Sequence, residues 1–164
     1  MFVRATASTL TLLLLLITAP ALQAAESSTY DACRDLIMDY AYYRDHKNPD
    51  AYAALFTEDA ELSILGDVRK GRDAIRQRLA EVTGNTVHLM STIRITQVSE
   101  TEATGVSYVT VYAMPPGEDP HTVDGWAGIG EYHDTYHKTA EGWKIAKRSL
   151  AMRLRDSGFK PPSQ

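Results

Sequence analysis

The stretch TVHLMSTIRITQVSETEATGVSYVTVYAM, residues 86–114, decides the fold. It is dense in Val, Ile, Thr and Tyr and is broken once by the polar run Glu100–Glu102. That pattern predicts two long strands, Thr86 to Val98 and Thr104 to Met114, joined by a tight turn. Working toward the C-terminus, Pro115 to Pro120 is a proline-rich acidic loop, expected to be the most mobile internal segment. Trp126 to His137 reads as a third long strand. Glu141-Gly142 turns the chain into a fourth, Trp143 to Leu154.

Working toward the N-terminus, the apolar period changes from two to between three and four. Cys33, Leu36, Ile37, Tyr40, Ala41 and Tyr43 describe one face of a helix that starts near Ser27-Ser28. Pro49 ends it, because the residue before a proline is pushed out of helical angles. A short second helix is expected over Asp50 to Phe56, a turn at Thr57-Glu58-Asp59 and a strand from Glu61 to Leu65. Gly66-Asp67 is a hairpin signal, and Gly71 opens a third helix that ends at Gly84-Asn85. Helices first and strands afterwards argue an α+β fold, with the helices on one face of the sheet. A sheet this long twists and curls. The expected architecture is a cone-shaped, curved antiparallel sheet wrapped around three N-terminal helices, its open end forming one small-molecule pocket.

The first 24 residues read as a secretory leader: Arg4 in a basic start, the apolar run Leu10 to Ile17, then Pro20 and small residues up to Ala24. The domain is expected over residues 25–155, with a flexible tail over 156–164. Localisation is expected to be exported, periplasmic or secreted. The formal charge of the whole chain is −4, and losing the leader removes only Arg4, which leaves −5. An acidic chain without a basic run lacks the footprint of a nucleic-acid or anionic-membrane binder. Cys33 is the only cysteine, so no intrachain disulfide forms, and it reads as a small buried hydrophobe. The five histidines are scattered, with no zinc spacing. Neither a metal nor a cofactor is expected.

Four segments then resemble a known family: YAYYRDHKNPDAYAALFTEDAEL (40–62), GRDAI (71–75), TVHLMSTIRI (86–95) and YHKTAEGWKIAKRS (136–149). Together they are similar to the SnoaL-like branch of the nuclear transport factor 2-like superfamily, over roughly residues 28–154. Its nearest enzyme types are scytalone dehydratase and hexachlorocyclohexane dehydrochlorinase. The resemblance implies a carboxylate just after the first helix, here Asp45, and a histidine on the first long strand, here His88. It also implies an arginine on the last strand, here Arg148. The dehydrochlorinase lysine falls near Tyr40. The scytalone dehydratase tyrosine falls near Ile64, its second histidine near Ala113 and its asparagine near Tyr132.

Each residue also has a plainer reading. Asp45 sits where a helix dipole disfavours negative charge, which is a modest functional hint, or it is simply a turn residue. His88 is a proton acceptor oriented by a carboxylate, or a strand histidine bonded to backbone. Strict alternation places His88 on the face of Thr92, Arg94 and Thr96. It faces the pocket with Met90 only if a bulge or strong curl frees the later part. Arg148 holds a carboxylate or leaving group, or forms a structural ion pair with Asp45 or Glu131. Tyr40, Phe56, Tyr108, Trp126 and Tyr132 are the candidate ligand-lining aromatics. Three functions remain open: a cofactor-independent lyase or isomerase, a non-catalytic binder of a small, mainly apolar ligand with a few oxygens, and a dimerisation module. A homodimer is expected from the family resemblance.

Overall fold

The computed structural model describes residues 28–114 and 125–158. Helix α1 spans Thr29–Asp45 and starts at Ser28, whose hydroxyl accepts the Asp31 N–H at 3.1 Å. It buries Cys33, Leu36, Ile37, Tyr40 and Ala41, the face given by the sequence period. Helix α2 is Pro49–Ala54, with proline in its first turn and the Asn48 side chain accepting the Ala51 N–H at 3.1 Å. Strands β1 (Phe56–Ile64) and β2 (Asp67–Lys70) form a hairpin, followed by α3 (Arg72–Ala80). Four long strands complete the chain: β3 (Asn85–Gln97), β4 (Glu102–Met114), β5 (Gly128–Thr139) and β6 (Gly142–Arg155). The expected leader, the Pro115–Pro120 loop and residues 159–164 lie outside the described residues.

The six strands make one open α+β sheet in the order β2-β1-β6-β5-β4-β3, with α1 packed against β3, β4 and β6. The expected antiparallel pairing holds except at one place, where β1 pairs with β6 in parallel. The chain leaves the β1–β2 hairpin through α3 and re-enters at the far edge. The meander from β3 therefore returns β6 to β1 in the same direction, without a local hairpin to force opposition.

Thr57-Glu58-Asp59 is not the expected turn: it lies inside β1. Pairing with β6 is irregular between Phe56 and Glu61, which lets Glu58 and Asp59 point to solvent without ending the strand. Arg72 pins the irregular stretch by donating to the Phe56 carbonyl at 3.0 and 2.7 Å. The second helix accordingly stops at Ala54 rather than Phe56.

The bulge required for His88 to face inward is present. Ser91 pairs with Tyr108 and Arg94 with Val106, so β3 carries one extra residue there. Thr92 absorbs it at φ +50°. Before it, Thr86, His88 and Met90 are half-buried, and after it Ile93 and Ile95 are, so one strand keeps both halves facing the core. A β-branched residue at positive φ is strained by about 1–2 kcal/mol. Thr92→Gly is expected to stabilise the protein by ~0.5–1 kcal/mol after glycine's own entropy cost. The check is the thermal midpoint, expected to rise by about 2–5 °C. An unchanged or lower midpoint would mean that the bulge is unstrained.

Candidate active site

Asp45 is the last residue of α1, and His88 lies on the inward face of β3. The His88 Nδ1 is 2.6 Å from Asp45 Oδ1. The His88 backbone N–H donates to Oδ2 at 2.8 Å, and the Thr86 hydroxyl to Oδ1 at 2.9 Å. Three donors from one strand thus fix a carboxylate presented by the helix. The His88 side chain is only 8% exposed and that of Asp45 17%. Burial pushes the Asp45 carboxyl up, but the ring hydrogen bond and charge of His88, with the His88 N–H and Thr86, outweigh it. The net result is a carboxyl held below its ordinary range. An ionised carboxylate only accepts, so the proton in this contact sits on Nδ1. Nε2 is left as the basic nitrogen, and no described residue bonds it.

A depressed carboxyl stabilises the fold above its unfolded pKa of about 3.9, and that contribution is lost as pH falls through the lower folded value. Asp45→Asn is therefore expected to flatten the loss of stability below about pH 4. Urea midpoints of the two proteins between pH 2 and 6 measure this. Parallel curves would show that Asp45 has no part in acid unfolding.

The His88 register leads across the sheet to Val111 and then Gly128. Half-buried Met90, Val111 and Leu150 give that end of the interior an apolar wall. The inward glycines Gly128 and Gly130 are backed by the side chains of Met152 and Leu150, which a Cβ at either position would meet.

Arg148 faces inward but is committed elsewhere. It is fully buried, and its guanidinium donates to both Asp134 oxygens at 2.7 Å. The Tyr136 hydroxyl donates to the same carboxylate at 2.6 Å. Its partner is thus Asp134, neither of the expected Asp45 and Glu131. Asp134 lies directly opposite Arg148 in register, whereas Glu131 faces the other side and pairs with Arg153 at 2.7 Å. The Arg148 guanidinium is stacked between two rings, 4.1 Å from the centre of Tyr40 and 4.6 Å from that of Tyr132.

The five candidate aromatics divide. Tyr40 and Tyr132 meet edge to face at 5.5 Å around Arg148, and Phe56 is fully buried beside Tyr40. Trp126 is half-buried and precedes β5 rather than beginning it. Tyr108 does not line the interior: strand parity puts Ser107 and Val109 inside and Tyr108 on the outer face, opposite Glu131. A hollow of about 350 Å³ also lies on that outer face, lined by Arg94, Thr104, Val106, His133, Thr135 and Ser149. It is away from the Asp45–His88 pair, and its lining residue His133 is paired through Nε2 with Glu131 at 2.8 Å.

Burial, reinforced by the charge of Asp134, pushes the Cys33 thiol up to about 12, so it packs as a thiol. Among the described residues, no group of three His, Cys, Asp or Glu side chains converges as a metal set. Sequence reasoning missed Thr86 and Asp134. Both were visible by strand parity, Thr86 two residues before His88 and Asp134 between Tyr132 and Tyr136.

The chain belongs to the SnoaL-like domain family, which matches residues 25–149. Its fold is that of solved nuclear transport factor 2-like proteins described as cystatin-like. A Novosphingobium aromaticivorans DSM 12444 protein with the provisional name scytalone dehydratase is 34% identical, over 79% of this chain and 87% of that one, with a TM-score of 0.68. Rv3472, a Mycobacterium tuberculosis protein of unknown function, is 26% identical over 74% of this chain and 70% of its own, with a TM-score of 0.65. The hexachlorocyclohexane dehydrochlorinase LinA-type3 of Novosphingobium barchaimii LL02 shares the fold, at 20% identity over 80% and 93% of the two chains and a TM-score of 0.63. A search of the curated proteins finds no match.

Proposed function

We propose that this protein is an exported, cofactor-independent lyase or isomerase acting on a small ring compound. The observation that carries the reading is the 2.6 Å contact between Asp45 and His88 Nδ1, which leaves Nε2 without a partner among the described residues at the apolar end of the interior. Nε2 takes a proton from an activated C–H of the ligand. The C–H electron pair becomes the new double bond as a hydroxide or halide leaves the neighbouring carbon, and the proton passes from Nε2 to the leaving group or to water. Asp45 orients the ring and balances the imidazolium that forms. The 34% identity to the provisionally named scytalone dehydratase supports the dehydration branch.

A second reading, a binder without turnover, is favoured by Arg148. Its pairing with Asp134 withdraws the cation that would otherwise meet a leaving group. Comparing wild type with His88→Gln on a compound bound by both separates the two. The enzymatic reading expects binding within a few-fold and turnover lost. Equal turnover in the variant overturns it. Export rests on the leader. A homodimer belongs to the same proposal, and its natural surface is the outer sheet face, where Val87, Leu89 and Tyr108 are exposed. A monomer mass at micromolar concentration in sedimentation counts against it.

A further inference from the structure

Besides Ser107 Oγ on β4, three buried side-chain atoms have no hydrogen-bond partner among the described residues by distance and angle: Arg44 Nη1, the Tyr52 hydroxyl and Arg148 Nη1. Tyr52 and Arg148 are fully buried. Buried polar atoms are normally satisfied, so a cluster of orphans asks for an explanation. These three surround one ring. Tyr40 lies 4.9 Å from the Tyr52 ring and 4.1 Å from the Arg148 guanidinium carbon. Arg44 stands one helical turn beyond Tyr40 on the same face of α1. Burial and the neighbouring Tyr40 push the hydroxyls of Tyr52 and Tyr132 up, and the charge of Arg44 opposes that push at both. Arg44 is therefore close enough to act on both hydroxyls.

The charge balance sets the sign of what is missing. Arg148 is neutralised by Asp134 and Arg78 by Asp67. Asp45, the acid next to Arg44 in sequence, is occupied by Thr86 and His88. Among the described residues Arg44 has no carboxylate partner. A half-buried guanidinium without an anion, near a fully buried hydroxyl whose polar neighbour is Tyr40, matches an oxygen anion and not an apolar group.

We propose that Arg44 and the Tyr52 hydroxyl form a subsite for a carboxylate on the ligand, with Arg148 Nη1 as a further donor on its inner wall. This rests on the interior being the ligand site, and it narrows the substrate class to small ring carboxylic acids. Arg44 precedes Asp45, so the bound anion is one residue along the helix from the carboxylate that holds His88. The subsite anchors the substrate while Nε2 faces the reacting carbon.

The test measures binding of benzoate and of its neutral isostere benzamide to the purified chain by titration calorimetry. Benzoate is expected to bind at least 10-fold tighter than benzamide. Arg44→Met is expected to lose that preference while leaving benzamide unchanged, and Arg44→Lys to keep part of it. Equal wild-type affinities, or an undiminished preference in Arg44→Met, would overturn the subsite. Tyr52→Phe guards against misfolding of the arginine variants, since it keeps the ring and loses at most a contact with Tyr40. It is expected to keep the wild-type thermal midpoint and bind benzoate several-fold more weakly. An unaltered benzoate affinity in folded Tyr52→Phe also sinks the idea. His88→Gln keeps the benzoate preference if the subsite is right, whatever becomes of turnover. Failure of the chemistry and failure of the subsite are thereby read separately.

Discussion

Asp134→Ala is expected to cost about 3–5 kcal/mol of folding stability, a large share of what a domain this size has. The variant leaves the Arg148 guanidinium fully buried between Tyr40 and Tyr132 with no counter-charge. It also strips the Tyr136 hydroxyl of its acceptor. Water cannot substitute without opening the contact between α1 and the sheet. Cation–π attraction from two rings recovers only about 1–2 kcal/mol each at best. The thermal midpoint is expected to fall by about 10–20 °C. The double variant Asp134→Leu with Arg148→Met removes both charges together and is expected to regain most of the loss, because an apolar pair of similar volume avoids the desolvation cost. Chemical denaturation of Asp134→Leu, of Arg148→Met and of the double variant closes the cycle. A single-variant loss below about 1 kcal/mol would mean that Arg148 finds another anion or that the pair is wet.

His88→Gln is expected to lower kcat by about 100- to 10,000-fold, with KM changed only a few-fold, once a turned-over compound is in hand. Glutamine fills much of the same space and can donate to Asp45, but it offers no basic nitrogen. Asp45→Asn is expected to fall nearly as far for a different reason. An amide can donate to Nδ1, which shifts the imidazole proton to Nε2 and removes the base without moving the ring. The Thr86 hydroxyl and the His88 N–H also lose half of their acceptor. The two variants together are expected to be no worse than the poorer single one, as for residues that act as a unit. Stopped progress curves in both variants support the pair, and wild-type kcat in either removes it.

Residues near one another in the chain explain why so much of this fold was legible. The apolar period of three to four over Cys33 to Ala41 gives the buried face of α1 directly, and the density of Val, Ile and Thr from Thr86 onward gives the long strands. Ser28, Pro49 and Gly142 mark element ends because capping and left-handed turns are local chemistry. The failure at Thr57–Asp59 has an equally physical cause. Three polar residues read as a turn locally, but β6 supplies backbone partners on either side and Arg72 clamps the bulged stretch.

The chain by itself determined the order of helices and strands, the family, and two residue types suited to proton transfer, because each is written in local periodicity or short motifs. Only the tertiary structure decided that β1 joins β6 in parallel, that Thr92 bulges so that His88 and Ile93 both face the core, and that Arg148 answers to Asp134. It alone exposed Arg44 as a half-buried cation with no carboxylate partner among the described residues. The first three are facts about partners 14 to more than 80 residues apart in the chain. Which groups lie opposite one another depends on register and packing, and neither is encoded in any window of a dozen residues.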